Sequence, residues 1–260
     1  MKFSVIASDS SGNCCYIESG ETRVLIDAGL SCKRIGEGLE RIGVPLASIQ
    51  AVCFTHDHSD HTQAAGTLFS RHKIPLYATL GTAESVNFGL KTKTKPEWNI
   101  FAAGADFTIG SLAFHPFHIP HDASEPVGFV VRDTDAALGF ATDMGEAPDM
   151  VVRRLSPCNA LLLEFNHELN LLLNHPSRPW DLKQRIRGRA GHLSNDQAAE
   201  LLERIAGPHL RTVFLAHISE ECNTLTCARD AAISALTAAG VLATTNILIP
   251  KDLPSPLIEV

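Results

Sequence analysis

Three histidines and two aspartates lie within the six residues from His56 to His61, in the segment CFTHDHSDH. Neutral imidazoles and carboxylates are protein ligands that suit zinc, manganese and iron. Alternate spacing in an extended segment puts His56 and His58 on one side of the chain. Asp60 and His61 then lie one turn further on and can face a second ion. The spacing predicts two divalent ions, Zn²⁺ or Mn²⁺ with iron as a third option, about 3.5–4 Å apart, an arrangement that catalyses hydrolysis.

Apolar segments around this cluster predict strands through most of the chain and more helix in the second half. Predicted strands cover 3–7, 14–18, 24–27, 51–55, 75–78, 106–109, 112–117, 127–132, 136–142, 160–164, 212–216 and 246–249. Predicted helices cover 32–42, 60–69, 82–89, 147–155, 180–187, 194–205 and 224–239. This alternation predicts a layered α/β fold. We expect one domain over residues 1–260, with a helical, substrate-facing insertion at about 144–210.

Composition is that of a soluble globular protein, with 260 residues, of which 45% are hydrophobic and 20% charged. No stretch reaches the ~20 consecutive apolar residues that span a bilayer, and the first residues lack the apolar core of a signal peptide. We therefore expect a cytoplasmic protein with no membrane partner. Seven irregularly spaced cysteines without a C-x-x-C pair predict buried, reduced thiols rather than disulfides or a cysteine zinc site.

The net charge of −7 excludes a generally basic nucleic-acid binder. One local exception is the stretch 178–189, RPWDLKQRIRGR, which holds five basic residues and one acid. Such a patch can contact phosphates even when the whole chain is acidic. A solvated helix face is the alternative, and charge alone leaves both interpretations open.

The segment FTHDHSDH resembles the signature of the metallo-β-lactamase fold superfamily. The resemblance implies a four-layer αβ/βα sandwich, in which helices flank two mixed β-sheets and a dinuclear metal centre lies at one edge of the sheets. It also implies three further ligands: a histidine after a mid-chain strand, an aspartate after the next strands, and a histidine near the C-terminus.

The sequence offers a residue for each of these places. In FHPFHIPHDASEPVGF, His121 is favoured because it follows the strand, whereas His115 and His118 alternate with apolar residues inside it. His118 remains an alternative ligand. Asp143 in GFATDMG and His217 in TVFLAHISEEC each follow an apolar strand and complete the predicted set.

Four further segments narrow the resemblance. SDSSGNCCYIE, PHDASEPVGF, GHLSN and LAHISEECN together resemble the YycJ/WalJ-type family within the superfamily. That family is linked to DNA nuclease activity, in particular to a 5′-to-3′ exonuclease. The later motifs are also similar to the β-CASP nucleases, although the long cap domain of those enzymes has no room between Asp143 and His217.

Two carboxylates and a histidine are candidates for proton transfer. Glu164 ends the apolar run ALLLE, where a carboxylate could orient a ligand histidine or move a proton, and the β-CASP resemblance suggests the same. Asp60 could accept a proton as well as bind metal. The segment EFNHE departs from the family's ESNHD, which leaves the role of His167 open between facing the substrate and lying in a loop.

Phosphate-binding features converge on the segment RAGHLSN. His192 offers an imidazole, and Ser194 and Asn195 offer polar side chains at a predicted helix N-terminus with free N–H groups. We expect His192 to contact the non-attacked phosphoryl oxygens rather than a metal ion. The remaining predicted substrate contacts are Asn13, Arg185, Arg187 and Arg189.

These features predict a metal-dependent phosphodiester hydrolase, a DNA exonuclease acting 5′ to 3′, with DNA as its partner. Two alternatives remain. The first is hydrolysis of a small phosphodiester or of a thioester, as in glyoxalase II. The second is a metal-stabilised regulatory module without turnover. The sequence does not predict an oligomeric state.

Overall fold

The first sheet is built mainly from the N-terminal half of the chain. The computed structural model describes residues 1–91, 95–250 and 254–260. Its first sheet contains β1 (Lys2–Asp9), β2 (Gly12–Ser19), β3 (Thr22–Ile26), β4 (Ala51–Cys53), β5 (Leu76–Ala78), β6 (Trp98–Ile100) and β14 (Ile258–Glu259). The order is β14-β1-β2-β3-β4-β5-β6. Strands β14, β1, β2 and β3 pair antiparallel, and β3 to β6 pair parallel.

The second sheet is built from later residues and is also mixed. It contains β7 (Phe107–Ile109), β8 (Leu112–His118), β9 (Val127–Arg132), β10 (Ala137–Ala141), β11 (Ala160–Glu164), β12 (Thr212–Ala216) and β13 (Asn246–Leu248). The order is β13-β12-β11-β10-β9-β8-β7, with β10 to β13 parallel. Since parallel neighbours end at the same edge, the residues after β10, β11 and β12 meet there.

Helices cover the outer face of each sheet. They are α1 (Cys32–Arg41), α2 (Ser59–Thr62), α3 (Ala65–His72), α4 (Leu80–Gly89), α5 (Asp149–Leu155), α6 (Leu169–Leu173), α7 (Trp180–Ile186), α8 (Asn195–Ile205) and α9 (Leu225–Ala238). Side chains from α1, α3 and α4 pack on the first sheet, and those from α5, α8 and α9 pack on the second. A third apolar cluster fills the space between the sheets.

Strand side chains alternate between these layers. In β11, Leu161 and Leu163 pack under the helices, whereas Ala160 and Leu162 face the other sheet. This period of two explains why the strand is apolar throughout: both of its faces are buried. The predicted four-layer αβ/βα sandwich is therefore confirmed. Within the described residues, no helix combines the length and apolar character needed to cross a bilayer.

Several predicted elements differ from the structure. The single helix predicted over 60–69 is wrong, because the chain forms α2 and α3 separately around Gln63 and Ala64. Strands β6 and β14 and helix α6 were not predicted, and each is five residues or shorter, too short to show a hydrophobic period. The stretch 144–210 is not purely helical, since β11 lies within it as an interior strand of the second sheet.

Close backbone packing brings the histidine cluster against the first sheet. A Cβ atom built on Gly29 would lie 1.5 Å from the carbonyl oxygen of Asp60, so only glycine fits there. Two backbone hydrogen bonds hold the same contact, from Ala28 N to the His61 carbonyl and from Ala64 N to the Ala28 carbonyl. The loop after β3 thus fixes the position of α2.

Candidate metal centre

Three histidines form the first group of ligand atoms. His56 follows β4, His58 is the N-cap of α2, and His121 follows β8. One ring nitrogen from each lies within 4.8 Å of the other two. Nδ1 of His121 donates to the Gly191 carbonyl at 3.2 Å, which leaves its Nε2 as the acceptor, 3.3 Å from Nδ1 of His58. Each of the three rings thus offers one nitrogen as a possible ligand for the same ion.

The second group consists of Asp60, His61 and His217. Oδ2 of Asp60 lies 3.5 Å from Nε2 of His61 and 3.9 Å from Nε2 of His217. Behind the ring of His61, Nδ1 lies 2.8 Å from Oδ2 of the buried Asp27. That carboxylate also accepts hydrogen bonds from the Thr55 backbone N–H and hydroxyl, at 2.8 and 2.9 Å. Asp27 therefore favours the tautomer of His61 whose Nε2 carries the lone pair.

Asp143 lies between the two groups. Its Oδ2 is 3.4 Å from Nε2 of His61, its Oδ1 is 4.0 Å from Nε2 of His121, and with His56 and His61 it forms a third set of close ligand atoms. Asp143 and His217 have φ angles of 58° and 53°, in the left-handed region that non-glycine residues seldom adopt. The hydroxyl of Ser8 accepts from His217 N–H at 2.8 Å and helps to hold this conformation.

Three buried polar atoms in these groups suit metal ions. Within residues 1–91, 95–250 and 254–260, no hydrogen-bond donor or acceptor satisfies Nε2 of His56, Oδ2 of Asp143 or Nε2 of His217. Leaving such an atom unsatisfied costs about 1–3 kcal/mol each, which a coordinated ion would offset. Imidazole nitrogens and carboxylate oxygens are a donor set that suits zinc or manganese. The residues fit two divalent ions.

The pKa shifts of three histidines fit a centre that binds divalent ions. Burial and the neighbouring histidines hold the pKa of His56 well below its usual range, so this ligand is neutral. Burial alone would also lower the pKa of His61, but Asp143, Asp27 and Asp60 outweigh it and raise the pKa to about 9. The pKa of His217 is raised in the same way by Asp143, Asp60 and Glu164. The carboxylates of this centre attract positive charge strongly.

Glu164, at the end of β11, orients two histidines from a fully buried position. Its Oε1 lies 2.8 Å from Nδ1 of His192 and 3.0 Å from Nδ1 of His217. Its Oε2 accepts the backbone N–H groups of Met144 and Leu193 at 3.0 and 3.3 Å. Burial would raise its pKa, but the two histidines outweigh burial and hold the pKa below its usual range. With both oxygens engaged, Glu164 acts as an orienting residue.

A cavity of about 220 Å³ opens beside these groups. His58, Asp60, Asp143, His192 and His217 line it from the metal side. The ring of His192 is partly exposed there, with its Nδ1 turned away to Glu164. Four of the predicted ligands and His192, the predicted phosphate contact, therefore line one cavity.

Not every predicted substrate residue reaches this cavity. His167, whose role was left open, is 1% exposed and pairs with Ser194 in a β-bridge, and its burial lowers its pKa to about 4, so its side chain does not line this cavity. The Ser194 hydroxyl caps α8 by accepting from Gln197 N–H. The Asn195 amide is buried and bonds Asn223 at 2.9 Å. The last two side chains complete a helix start and a buried network, which accounts for their absence from the cavity wall.

The arginines of the basic stretch and Asn13 also differ in whether they line the cavity. Arg185 lines the cavity, but Arg187 and Arg189 do not. Arg189 instead forms hydrogen bonds of 2.8 and 2.9 Å with Glu146. Asn13 is buried and its amide nitrogen lies 3.0 Å from Nε2 of His61, so it contacts a ligand side chain rather than the cavity. His118 is exposed on β8 and His115 pairs with Asp106, so neither joins the ligand groups.

Several residues of this site were not predicted individually from the sequence. Asp27 follows β3 just as Asp143 follows β10, so the same strand-end pattern could have identified it. Arg178 and Asp122 also line the cavity; they lie in the quoted segments RPWDLKQRIRGR and PHDASEPVGF, but neither was singled out there as a site residue. Gly191 was quoted as part of GHLSN, yet the use of its carbonyl to orient His121 depends on a contact across 70 residues.

The chain is similar to several known proteins. Residues 22–218 match the family described as the Beta-lactamase superfamily domain. Over 224 residues the chain is 34% identical to exodeoxyribonuclease WalJ of Streptococcus pneumoniae serotype 2, covering 85% of this chain and 83% of that protein. Over 229 residues it is 30% identical to exodeoxyribonuclease YycJ of Bacillus anthracis, covering 88% and 86%.

A solved structure shows the same fold. The metallo-beta-lactamase fold protein YhfI from Bacillus subtilis superposes with a TM-score of 0.73 at 17% identity, covering 99% of this chain and 98% of that one. The resemblance drawn from FTHDHSDH and GHLSN is confirmed. The chain belongs to the beta-lactamase superfamily and, within it, to the family that contains the WalJ and YycJ proteins.

Proposed function

We propose that this protein is a metal-dependent hydrolase of phosphodiester bonds that acts on DNA as an exonuclease. The observation that carries the proposal is the set of seven candidate ligand residues in close groups, of which His58, Asp60, Asp143 and His217 line one cavity. Similarity to two exodeoxyribonucleases supports DNA as the substrate. A 5′-to-3′ direction remains a prediction from the sequence. The free thiols of all seven cysteines suit the reducing cytoplasm, where we place this activity.

Each of the two groups of ligand atoms would hold one ion. His56, His58 and His121 would bind one ion, and Asp60, His61 and His217 would bind the other. Asp143 lies within reach of both. When bound, a pair of Zn²⁺ or Mn²⁺ ions supplies an activated water and neutralises charge on the phosphoryl oxygens. Asp27, Gly191 and Glu164 fix the ring orientations on which this ligand set depends.

The side chains that line the cavity would bind the phosphate and move protons during its hydrolysis. The bond from Nδ1 of His192 to Glu164 directs the opposite side of the ring into the cavity, where it can donate to a non-attacked phosphoryl oxygen. Asp60 also reaches the cavity and can accept the proton of the attacking water.

A nuclease assay with a metal panel tests this function. Single- and double-stranded DNA and RNA would be incubated with the purified protein and Zn²⁺, Mn²⁺, Mg²⁺ or a chelator. We expect mononucleotides to be released from DNA ends with Zn²⁺ or Mn²⁺ and no release with the chelator. Intact DNA under every metal condition, with rapid hydrolysis of a small diester, would refute the nuclease assignment.

His192→Ala separates the two roles that a histidine can have at this site. We expect the variant to cleave DNA about 100-fold more slowly or worse, the usual range for loss of one such donor. Its metal content should stay equal to that of the unchanged protein. Loss of an ion from this variant would place His192 among the metal ligands instead.

A further inference from the structure

Helix α7 forms a wall of the cavity that holds the metal ligands. Leu182, Arg185 and Ile186 of this helix line the cavity, as does Arg178, which lies two residues before the helix. The two apolar side chains offer contact surface, and the two arginines bring positive charge to a cavity whose other lining residues include three carboxylates and three histidines. This segment is therefore the part of the cavity best suited to recognising an anionic chain.

A buried lysine on α7 keeps this wall in place. Lys183 is 8% exposed, and its Nζ donates to the carbonyl oxygens of Leu173 and His175 at 2.8 and 2.7 Å. These carbonyls lie at the C-terminal end of α6, where helix carbonyls lack intrahelical partners. The lysine ties α7 to α6 and so fixes the positions from which the arginines extend.

Both arginines are oriented by acids that leave donors available. Nε of Arg185 bonds Asp122, and within the described chain its two Nη groups have no partner. Nε and Nη2 of Arg178 both donate to Oε2 of Glu221, at 3.0 and 2.8 Å, and its Nη1 is likewise without a partner among the described residues. A guanidinium held by one edge can offer its remaining N–H groups to a phosphate.

The two arginines lie at different points along α7. Arg178 precedes the helix, and the five helical steps from Trp180 to Arg185 alone rise by about 7.5 Å. A nucleic-acid strand carries one phosphate per about 3.4 Å of its axis. We propose that Arg178 and Arg185 each bind a different phosphate of a single DNA strand that lies along α7. The inference rests on the proposed function and narrows its substrate to several linked nucleotides.

Binding measured against salt concentration tests the inference. The metal-loaded protein would be titrated onto a short fluorescein-labelled DNA strand with cleavage-resistant phosphorothioate links, from about 50 to about 200 mM salt. Each of Arg178→Gln and Arg185→Gln should weaken binding about 10- to 100-fold, the range for a lost charge-assisted hydrogen bond. Each should also make the slope of log affinity against log salt shallower by about 0.7.

Matched variants separate a defined contact from general attraction. Arg229→Gln removes one exposed charge on α9, away from the cavity, and should leave the slope unchanged. Arg185→Lys keeps the charge and should retain the slope while binding more weakly than arginine. If Arg187→Gln or Arg189→Gln lowers the slope as much as the cavity variants do, a diffuse basic patch attracts the DNA and the inference is overturned.

Catalysis gives an independent readout. The loss of kcat/KM on DNA in Arg178→Gln and Arg185→Gln should exceed the loss on bis(p-nitrophenyl) phosphate by about tenfold or more. Equal losses on both substrates would overturn the inference, since the arginines would then act at the reacting phosphate. A wild-type protein that neither binds nor cleaves DNA would instead remove the proposed function itself, so the two failures are distinguishable.

Discussion

Replacement of Asp27 by asparagine should weaken one ion site selectively. The carboxylate accepts three hydrogen bonds: from Thr55 N–H at 2.8 Å, from the Thr55 hydroxyl at 2.9 Å and from Nδ1 of His61 at 2.8 Å. Asparagine has the same shape and can keep accepting from Thr55 N–H. Its NH₂ group, however, would then face Nδ1 of His61, where one donor would meet another.

The imidazole can relieve that conflict by moving its proton to Nε2. That nitrogen points at Asp60 and Asp143, and a protonated nitrogen cannot bind a metal ion. Loss of such an orienting partner typically costs about 10- to 100-fold in metal affinity, which corresponds to about 1.4–2.8 kcal/mol. We expect this loss for the ion held by Asp60, His61 and His217. The ion held by His56, His58 and His121 should change little.

Competition against a chromophoric chelator would measure both affinities in the Asp27→Asn variant. Asp133→Asn is a suitable control, because this carboxylate accepts hydrogen bonds from Ser19, Asp135 and Ala136 and lies in the turn between β9 and β10, which contains none of the candidate ligands. The control should bind both ions as the unchanged protein does. Equal affinities in Asp27→Asn and the unchanged protein would refute the orienting role.

Three further predictions follow from other contacts of the site. Glu164→Gln should slow DNA cleavage about 10- to 100-fold, because an amide cannot accept hydrogen bonds from two imidazoles and two backbone N–H groups at once. An unchanged rate would contradict the role of Glu164 in orienting the two histidines. Metal affinity should rise from about pH 7 to 9, because His61, with its pKa raised to about 9, must lose a proton to bind an ion. Each released proton increases the affinity about tenfold per pH unit, and an affinity that calorimetric titration finds independent of pH would contradict this prediction. Gly29→Ala should lower the thermal midpoint and metal content by forcing Asp60 away, whereas Gly89→Ala, with nothing within 4 Å, should not; equal midpoints would refute the packing argument.

The clustering of the candidate metal ligands was predictable because each of them carries a local signal. His56 to His61 form one dense motif, and His121, Asp143 and His217 each follow an apolar run that a strand period identifies. Parallel strands then end at one edge, so a pattern along the chain becomes proximity in space. The sandwich could be predicted for the same reason, as its longer strands are buried on both faces.

The substrate side of the cavity was less predictable, because its contacts depend on distant parts of the chain. The stretch 178–189 shows five basic residues, but its sequence does not reveal which of them face the cavity. In the structure, Arg178 and Arg185 line the cavity, Lys183 is buried between α7 and the end of α6, and Arg189 pairs with Glu146. The role of His167 was left open, and Asn195 was predicted to bind phosphate because it lies at a helix N-terminus; both side chains are buried.

The most direct test of a two-ion nuclease is the rate of DNA cleavage measured against the number of bound ions. Metal-free protein would be titrated with Mn²⁺ while bound metal and release of nucleotides from an end-labelled duplex are followed together. We expect cleavage to reach its maximum as about two ions bind per chain, in line with the two ligand groups. The Asp143→Ala variant should bind fewer ions and cleave little DNA. Full cleavage by the chelated protein, or by an Asp143→Ala variant that retains both ions, would contradict this account.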